Sequence, residues 1–251
     1  MKPKLIIVGS GALEVEINET AILLGYEVAN LDMKNKLLAI DGEKIPLSEV
    51  PEEFLALPII LSIVDYEEFA GLPVFRSWSK NRIQLLKDVE TIGFTNWTSI
   101  FHPSSVISSS ANIGKNVFIS ANSTISSNSN IASHTFINRD VSIAHDVNIG
   151  HFCFIAPGVT VTGDISIQDA AFIGAGSIII NGASIGSGAT VAAGSVVTRS
   201  VKDLSFVLGS PAREKNEFYR NQRRRLISLV SKYLKTMGLF TFAKNIYFKF
   251  R

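Results

Sequence analysis

The pair in this chain best suited to moving a proton is His145-Asp146. An imidazole titrates near neutral pH, and a carboxylate beside it orients the ring, which is what a general base requires. Gly163 follows 18 residues later. With no side chain to obstruct approach, its N–H is suited to stabilising an oxyanion. The other three histidines are expected to be structural: His134 and His151 are isolated, and His102 precedes Pro103 as a turn cap. No two histidines have metal-ligand spacing, so no metal is expected. Cys153 is the single cysteine and is expected to lie in the core, in a reducing compartment.

The spacing of 18 has a structural meaning. From Ile107 to Val197 every sixth residue is Ile or Val, sixteen positions without an insertion. Neither helix nor strand periodicity yields a strict six, whereas a parallel β-helix does. Three hexads make one coil, so Gly163 should stack beside His145 at about 4.8 Å, the spacing of adjacent strands. Two residues before each aliphatic stands a small or β-branched residue, from Ala111 through Cys153 to Ser195, expected to fill the space beside the corners. Gly114, Gly150, Gly174 and Gly186 directly follow an aliphatic, where a tight corner favours a residue without Cβ. A β-helix has flat faces and no closed pocket, so an active site is expected where prisms meet. A closed trimer suits a three-faced prism.

Residues 1–95 read as a small α/β, Rossmann-like unit. Leu5 to Val8 forms a strand, Gly9-Ser10-Gly11-Ala12 a turn, and Glu14 to Leu24 a helix ended by Gly25. Tyr26 to Leu31 forms a second strand ending near Asp32, Pro58 to Val64 a third, and Asn81 to Val89 a further helix. The glycine turn favours phosphate at the helix N-terminus. Glu14 stands where a dinucleotide fingerprint has its third glycine, so NAD is not expected. Residues 96–213 form the β-helix. From Glu214 to Arg251 there are ten Lys/Arg against two Glu, a net of +8, leaving −6 on the first 213 residues. That contrast marks residues 214–251 as a separate tail, and Leu226, Leu229, Val230, Tyr233 and Met237 give it a helical stripe. Its basic character is read as a solvated face on the assembly, with docking on an anionic membrane as the alternative. No nucleic-acid partner is expected. No signal peptide or membrane span is read, and the chain is expected to be cytoplasmic.

Val8-Gly9-Ser10-Gly11, Phe101-His102-Pro103-Ser104, Ile143-Ala144-His145-Asp146, Ile155-Ala156-Pro157-Gly158 and Gly209-Ser210-Pro211-Ala212-Arg213 together resemble the PglD/NeuD-type bacterial sugar acetyltransferases of the hexapeptide-repeat superfamily. The resemblance spans residues 1–213. It implies a left-handed β-helix, a homotrimer and acetyl-CoA as co-substrate. By position it makes His145 the base, with Asp146 orienting it, and Gly163 the donor to the thioester carbonyl. Asn138 matches a contact to the reacting sugar. Ala193, about a coil and a half beyond Gly163, matches a backbone contact to CoA, and Gly209, Pro211 and Arg213 belong to a loop that closes over it. Gly9, Ser10, Gly11 and Asp32 fall at the nucleotide of a nucleotide-linked sugar. Two positions depart from the pattern: Leu13 and Phe154 stand where relatives commonly carry histidine.

The function this implies is acetyl-CoA-dependent N-acetylation of a nucleotide-linked amino sugar, feeding surface polysaccharide or glycan synthesis. The rivals are sugar O-acetylation of the sialic-acid type and a non-catalytic β-helix scaffold.

Overall fold

The structure, a computed structural model, describes residues 2–9, 12–62 and 77–214. Ser10, Gly11, the Ile63-Val64 end of the expected third strand and the expected tail helix from Phe218 to Met237 lie outside the described residues.

The N-terminal unit is a five-stranded sheet. Strand β1 (Lys4–Val8) is followed by helix α1 (Ala12–Leu23), β2 (Glu27–Asp32), β3 (Leu37–Ile40) and β4 (Glu43–Pro46). A short helix α2 (Glu52–Leu55), β5 (Ile59–Leu61) and α3 (Ser77–Ile92) complete it. The sheet order is β4-β3-β2-β1-β5. β1 pairs in parallel with β2 and β5, so Leu5 to Val8 is wholly buried and reads as an unbroken apolar run. The βαβ expectation therefore holds for β1–α1–β2. Beyond it the chain turns back, because β2–β3 and β3–β4 are antiparallel. The β3–β4 turn is Asp41-Gly42 with φ of 54° and 82°, the sequence type that closes a two-residue hairpin.

From Ile100 onward the chain winds as the left-handed β-helix. It has three sheets, which we call faces, parallel throughout except that Arg213–Glu214 turns back antiparallel on the third. The first carries six strands from Val106–Ile107 to Val196–Val197, and the second five, from Asn112–Ile113 to Ser184–Ile185. The third has eight, from Ile100–Phe101 to Arg213–Glu214. Up to Val197 partners along each face stand 18 residues apart, as in Thr124↔Ser142 and Ser142↔Thr160, and the last coil closes at 16 with Thr190↔Phe206. All sixteen hexad aliphatics occupy the second residue of a two-residue strand, and from Ile119 onward each is buried. From Val117 onward the small register is buried as well. Ser123, Ser129, Thr135 and Ser177 each donate a hydroxyl hydrogen to a carbonyl of the next coil at 2.7–2.9 Å, so polar groups sit inside the prism without being orphaned. Cys153 lies in this column, fully buried, with Sγ 3.1 Å from Gln168 O, and burial pushes its thiol well up. It is core and not a nucleophile.

The corners follow a rule of their own. From Asn116 to Gly194 every sixth residue is left-handed, with φ between 55° and 78°, and most are Asn, Asp or Gly, which tolerate that region. The glycines directly after the aliphatics are not the left-handed ones. At Gly174 a Cβ would stand 2.5 Å from Ala193 N, so glycine is needed there because the next coil's backbone lies against it.

Polar groups join the two units. Leu61 N donates to Asn116 Oδ1 at 2.8 Å, and Arg82 Nη2 donates to Leu61 O at 3.1 Å. Since the Asn116 oxygen is taken, its Nδ2 donates to His134 Nδ1 at 2.9 Å, which fixes His134 with its proton on Nε2. His134 is 1% exposed and stacks on Phe152 at 4.7 Å. Burial first, then the neighbouring Arg82 and His151, hold it well below the ordinary histidine value of 6.5. Folding therefore releases a proton wherever the unfolded chain carries it. The stability His134 contributes is complete above pH 6.5 and is lost as pH falls towards the folded value, at about 1.4 kcal/mol per pH unit. Urea denaturation at pH 7.5, 6.5 and 5.5 should show this loss. A His134→Phe chain that stays folded should lose that part of the slope.

Candidate active site

His145 and Asp146 occupy the turn from Ala144 to Val147 that joins the first face to the second. Asp146 is the left-handed residue of this corner, with φ of 58°. That conformation sets its carboxylate beside the preceding ring: Oδ2 lies 2.7 Å from His145 Nδ1, and both side chains are more than half exposed. The hydrogen bond from His145, and after it one from Asn128 Nδ2 to Oδ1 at 3.3 Å, holds the Asp146 carboxyl below the usual carboxylate range. An ionised carboxylate only accepts, so Nδ1 carries the imidazole proton and the Nε2 lone pair faces outward.

The coil above completes the site. A Cβ on Gly163 would stand 2.8 Å from His145 Cε1 and 2.9 Å from Nε2, so the ring lies directly against the glycine backbone. Thr162 N and Asp164 N donate to Ile179 O and His145 O. The Gly163 N–H between them meets no acceptor among the described residues. The lone pair of an exposed ring and the uncommitted donor of buried Gly163 are thus brought together at this edge. This arrangement can take a proton from a nucleophile and stabilise negative charge on the group attacked. The missing Cβ leaves the space that the His145 ring takes.

The remaining predicted residues lie elsewhere on the chain. Asn138 is in the turn joining the third face to the first, 5% exposed, its Oδ1 accepting from Arg139 N at 2.8 Å. Ala193 is exposed on that same edge, because thirty residues from Gly163 is five hexads, or one and two-thirds coils. The Gly209 loop lies between Phe206–Leu208 and Arg213–Glu214, and Gly209 O accepts from Val196 N at the last strand of the first face. Pro211 and Arg213 are exposed, Arg213 Nη1 donating to Ala212 O. Gly9 ends β1 with φ of 130°. Asp32 Oδ1 accepts from Lys34 N and Asn35 N, and Oδ2 from Asn35 Nδ2, so this carboxylate shapes the β2–β3 turn and lies below its usual range, chiefly through the Asn35 bond. One chain therefore unites His145, Asp146 and Gly163 but not Asn138, Ala193 or the Gly9 turn.

Ser62 was not singled out from sequence. It follows β5, donates its N–H to Val8 O at 2.7 Å beside the Gly9 turn, and its fully buried Oγ has no partner among the described residues. Its place, just beyond the C-terminal ends of parallel strands, is where open α/β sheets bind ligands. Of the two departures, Leu13 is half-buried against the apolar core and Phe154 is the third ring of a stack from Phe118 through Phe136 to Phe172, with centroids 5.0–5.5 Å apart. Both fill apolar space.

Comparison with known proteins agrees with the fold and with the resemblance read from the sequence. Residues 164–199 match the bacterial transferase hexapeptide (six repeats) family. No curated protein matches the chain. Among solved structures, PerB from Caulobacter crescentus, in complex with CoA and GDP-perosamine, is 26% identical over 85% of this chain and 97% of its own, with a TM-score of 0.69. The acetyltransferase domain of PglB from Neisseria gonorrhoeae, in complex with acetyl coenzyme A, is 24% identical over 86% of this chain and 100% of its own, with a TM-score of 0.70. WeeI from Acinetobacter baumannii is 24% identical over 84% and 99%, with a TM-score of 0.67. At these identities the last two speak for the fold alone.

Proposed function

We propose that this chain is an acetyl-CoA-dependent N-acetyltransferase acting on the amino group of a nucleotide-linked amino sugar. The observation that carries the reading is the His145 ring, fixed by Asp146 with Nε2 free and seated on the bare Gly163 backbone. The similarity to PerB, solved with CoA and GDP-perosamine, supports the substrate class.

The residues divide the reaction as follows. His145 Nε2 takes a proton from the acceptor amine as its nitrogen bonds to the thioester carbonyl carbon. Gly163 N–H donates to the oxyanion, and Asp146 stabilises the imidazolium through Nδ1. Collapse breaks the C–S bond, and the leaving sulfur receives the proton from Nε2, giving an amide and a free thiol. Ala193 N–H and the Gly209–Arg213 loop hold the CoA arm, Asn138 meets the sugar, and the turn from Gly9 through Ser10 and Gly11, with Asp32, holds the nucleotide.

These groups lie on two edges of the prism and on the sheet of the N-terminal unit, so a working site takes them from more than one copy, and a homotrimer provides that. Val106 and Ile178 on the first face, and Val15 and Ile22 on α1, are exposed apolar side chains of the kind such an interface covers. Light scattering on the eluted protein should give three times the mass of 27.3 kDa. A fully active monomer would overturn the shared site.

The substrate test is thiol release from acetyl-CoA with a panel of GDP-, dTDP- and UDP-linked 4-amino sugars and their 4-hydroxy counterparts. Release with an amino sugar alone is expected. Release only with hydroxyl acceptors replaces N- by O-acetylation, and none with any acceptor leaves the scaffold reading. The reaction takes place in the cytoplasm, where its product feeds surface polysaccharide or glycan synthesis. No described helix is long and apolar enough to cross a membrane. Liposome co-sedimentation of the full chain against one ending at Arg213 decides whether the basic tail adds a membrane contact.

A further inference from the structure

We propose that Asn128 is a positioning residue for the His145–Asp146 pair: from one coil below, it holds the Asp146 carboxylate turned with one oxygen against the imidazole, and so keeps the ring proton on Nδ1. The inference rests on the acetyltransferase reading for its effect on turnover, but not for its effect on the ring.

A single hydrogen bond from His145 does not fix a carboxylate, because an exposed aspartate turns about its terminal torsion. Asp146 is such a residue, with half of its side chain in solvent. Its two oxygens are divided between two donors, Oδ2 to His145 Nδ1 and Oδ1 to Asn128 Nδ2. Asn128 is held in turn. It is the left-handed corner residue of its own coil, with φ of 58°, and its N–H donates to Ser110 Oγ at 3.1 Å. Ser110, Asn128, Asp146 and the His145 ring thus form one stack along the edge, ending on Gly163. The charged groups facing it are few. Asp164 stands one coil above Asp146, and Arg199 three coils above His145. Arg199 forms no ion pair with Asp146 among the described residues.

The same ladder occurs once more without a histidine. On the edge between the third and first faces, Asn122 Nδ2 donates to Asp140 Oδ1, also at 3.3 Å, and the residue before Asp140 is Arg139. Asn122 is left-handed with the same φ of 58°. Whatever such a bond does for the coil alone, Asn122 does too. It is therefore an internal control.

Asn128→Gly and Asn122→Gly remove the amides in the full chain without backbone strain, because glycine enters the left-handed region freely. Nitrogen-15 NMR of the histidine side chains, with the His145 signal assigned by its loss in His145→Gln, reads the tautomer. The Nδ1–H form is expected to dominate in the wild-type chain and in Asn122→Gly. In Asn128→Gly the Nε2–H form is expected to grow. In the acetyl-transfer assay, Asn128→Gly should lower kcat about tenfold with KM for both substrates unchanged, less than the ~100-fold that a misplacement of ~1 Å brings. It should cause no further loss in an Asp146→Ala background, since the two act as one unit. A wild-type tautomer in Asn128→Gly, an equal shift in Asn122→Gly, or an unchanged kcat in an active enzyme overturns the proposal. Absence of acetyl transfer by the wild-type chain sinks the functional reading instead, while the tautomer result stands.

Discussion

Replacement of His145 by Ala is expected to lower turnover by about 10²–10⁴-fold, the usual worth of a general base. The ring is well exposed and its one side-chain hydrogen bond among the described residues is to Asp146, so its removal opens no cavity in the prism. Circular dichroism and the melting temperature should therefore match the wild type, which separates a catalytic loss from a folding one. Gly163 N–H and the binding surfaces remain, so residual transfer should persist above the uncatalysed rate. The position within the range carries information about the acceptor. A neutral amine can attack a thioester before losing its proton, whereas a hydroxyl is a poor nucleophile until the base draws its proton away. A loss near the lower end fits an amino acceptor, and one near the upper end a hydroxyl. Asp146→Asn is a sharper probe of the same pair. A carboxamide can turn its NH₂ towards Nδ1 and drive the proton to Nε2, occupying the lone pair that should act as base. Near-normal turnover of His145→Ala with the assembly intact would remove His145 from the mechanism.

The solenoid and the heart of the site were legible because both obey one period. Sixteen aliphatics spaced by six can be buried together only if the chain winds, and each falls on the same residue of its strand. The 18-residue coil then sets Gly163 on His145 without further information. Where that ruler does not apply, sequence said less. Ala193 is thirty residues from Gly163, which is no whole number of coils, and it sits on another edge. The corner glycines answer to the expected need for a residue without Cβ, as Gly174 does against the backbone of the next coil, but the left-handed positions form a separate column beginning at Asn116. That column is written in the sequence as recurring Asn, Asp and Gly, hidden because it shares the period of the stronger aliphatic signal. In the N-terminal unit the antiparallel β3–β4 hairpin was missed although Asp41-Gly42 announces it. Ser62 had no sequence signal at all. A buried hydroxyl without a partner is a property of the packed structure, not of the residue.

Gly163→Ala should lower kcat by about 100-fold, the scale on which a displacement of ~1 Å at a catalytic group is felt, while leaving the fold almost as stable. The added methyl would stand 2.8–2.9 Å from the His145 ring, closer than carbon tolerates. Something must shift, and the ring is the softer partner: it lies in solvent, at the end of a rotatable side chain, on a corner held by backbone bonds on either side. Gly163 does not have the left-handed φ of the corner residues, so alanine suits the backbone there. The strain is then relieved by swinging the imidazole off Asp146 and away from the acceptor, and the same methyl crowds the carbonyl that the Gly163 N–H should receive. Both losses fall on the chemical step, so KM should change far less than kcat. Gly174→Ala provides the contrast. Its methyl would meet Ala193 N at 2.5 Å, and a backbone atom clamped between coils cannot swing away. That variant should lose stability, as melting or urea titration would show. If Gly163→Ala instead unfolds like Gly174→Ala, or turns over like the wild type, the ring does not rest where the base and the oxyanion donor must meet.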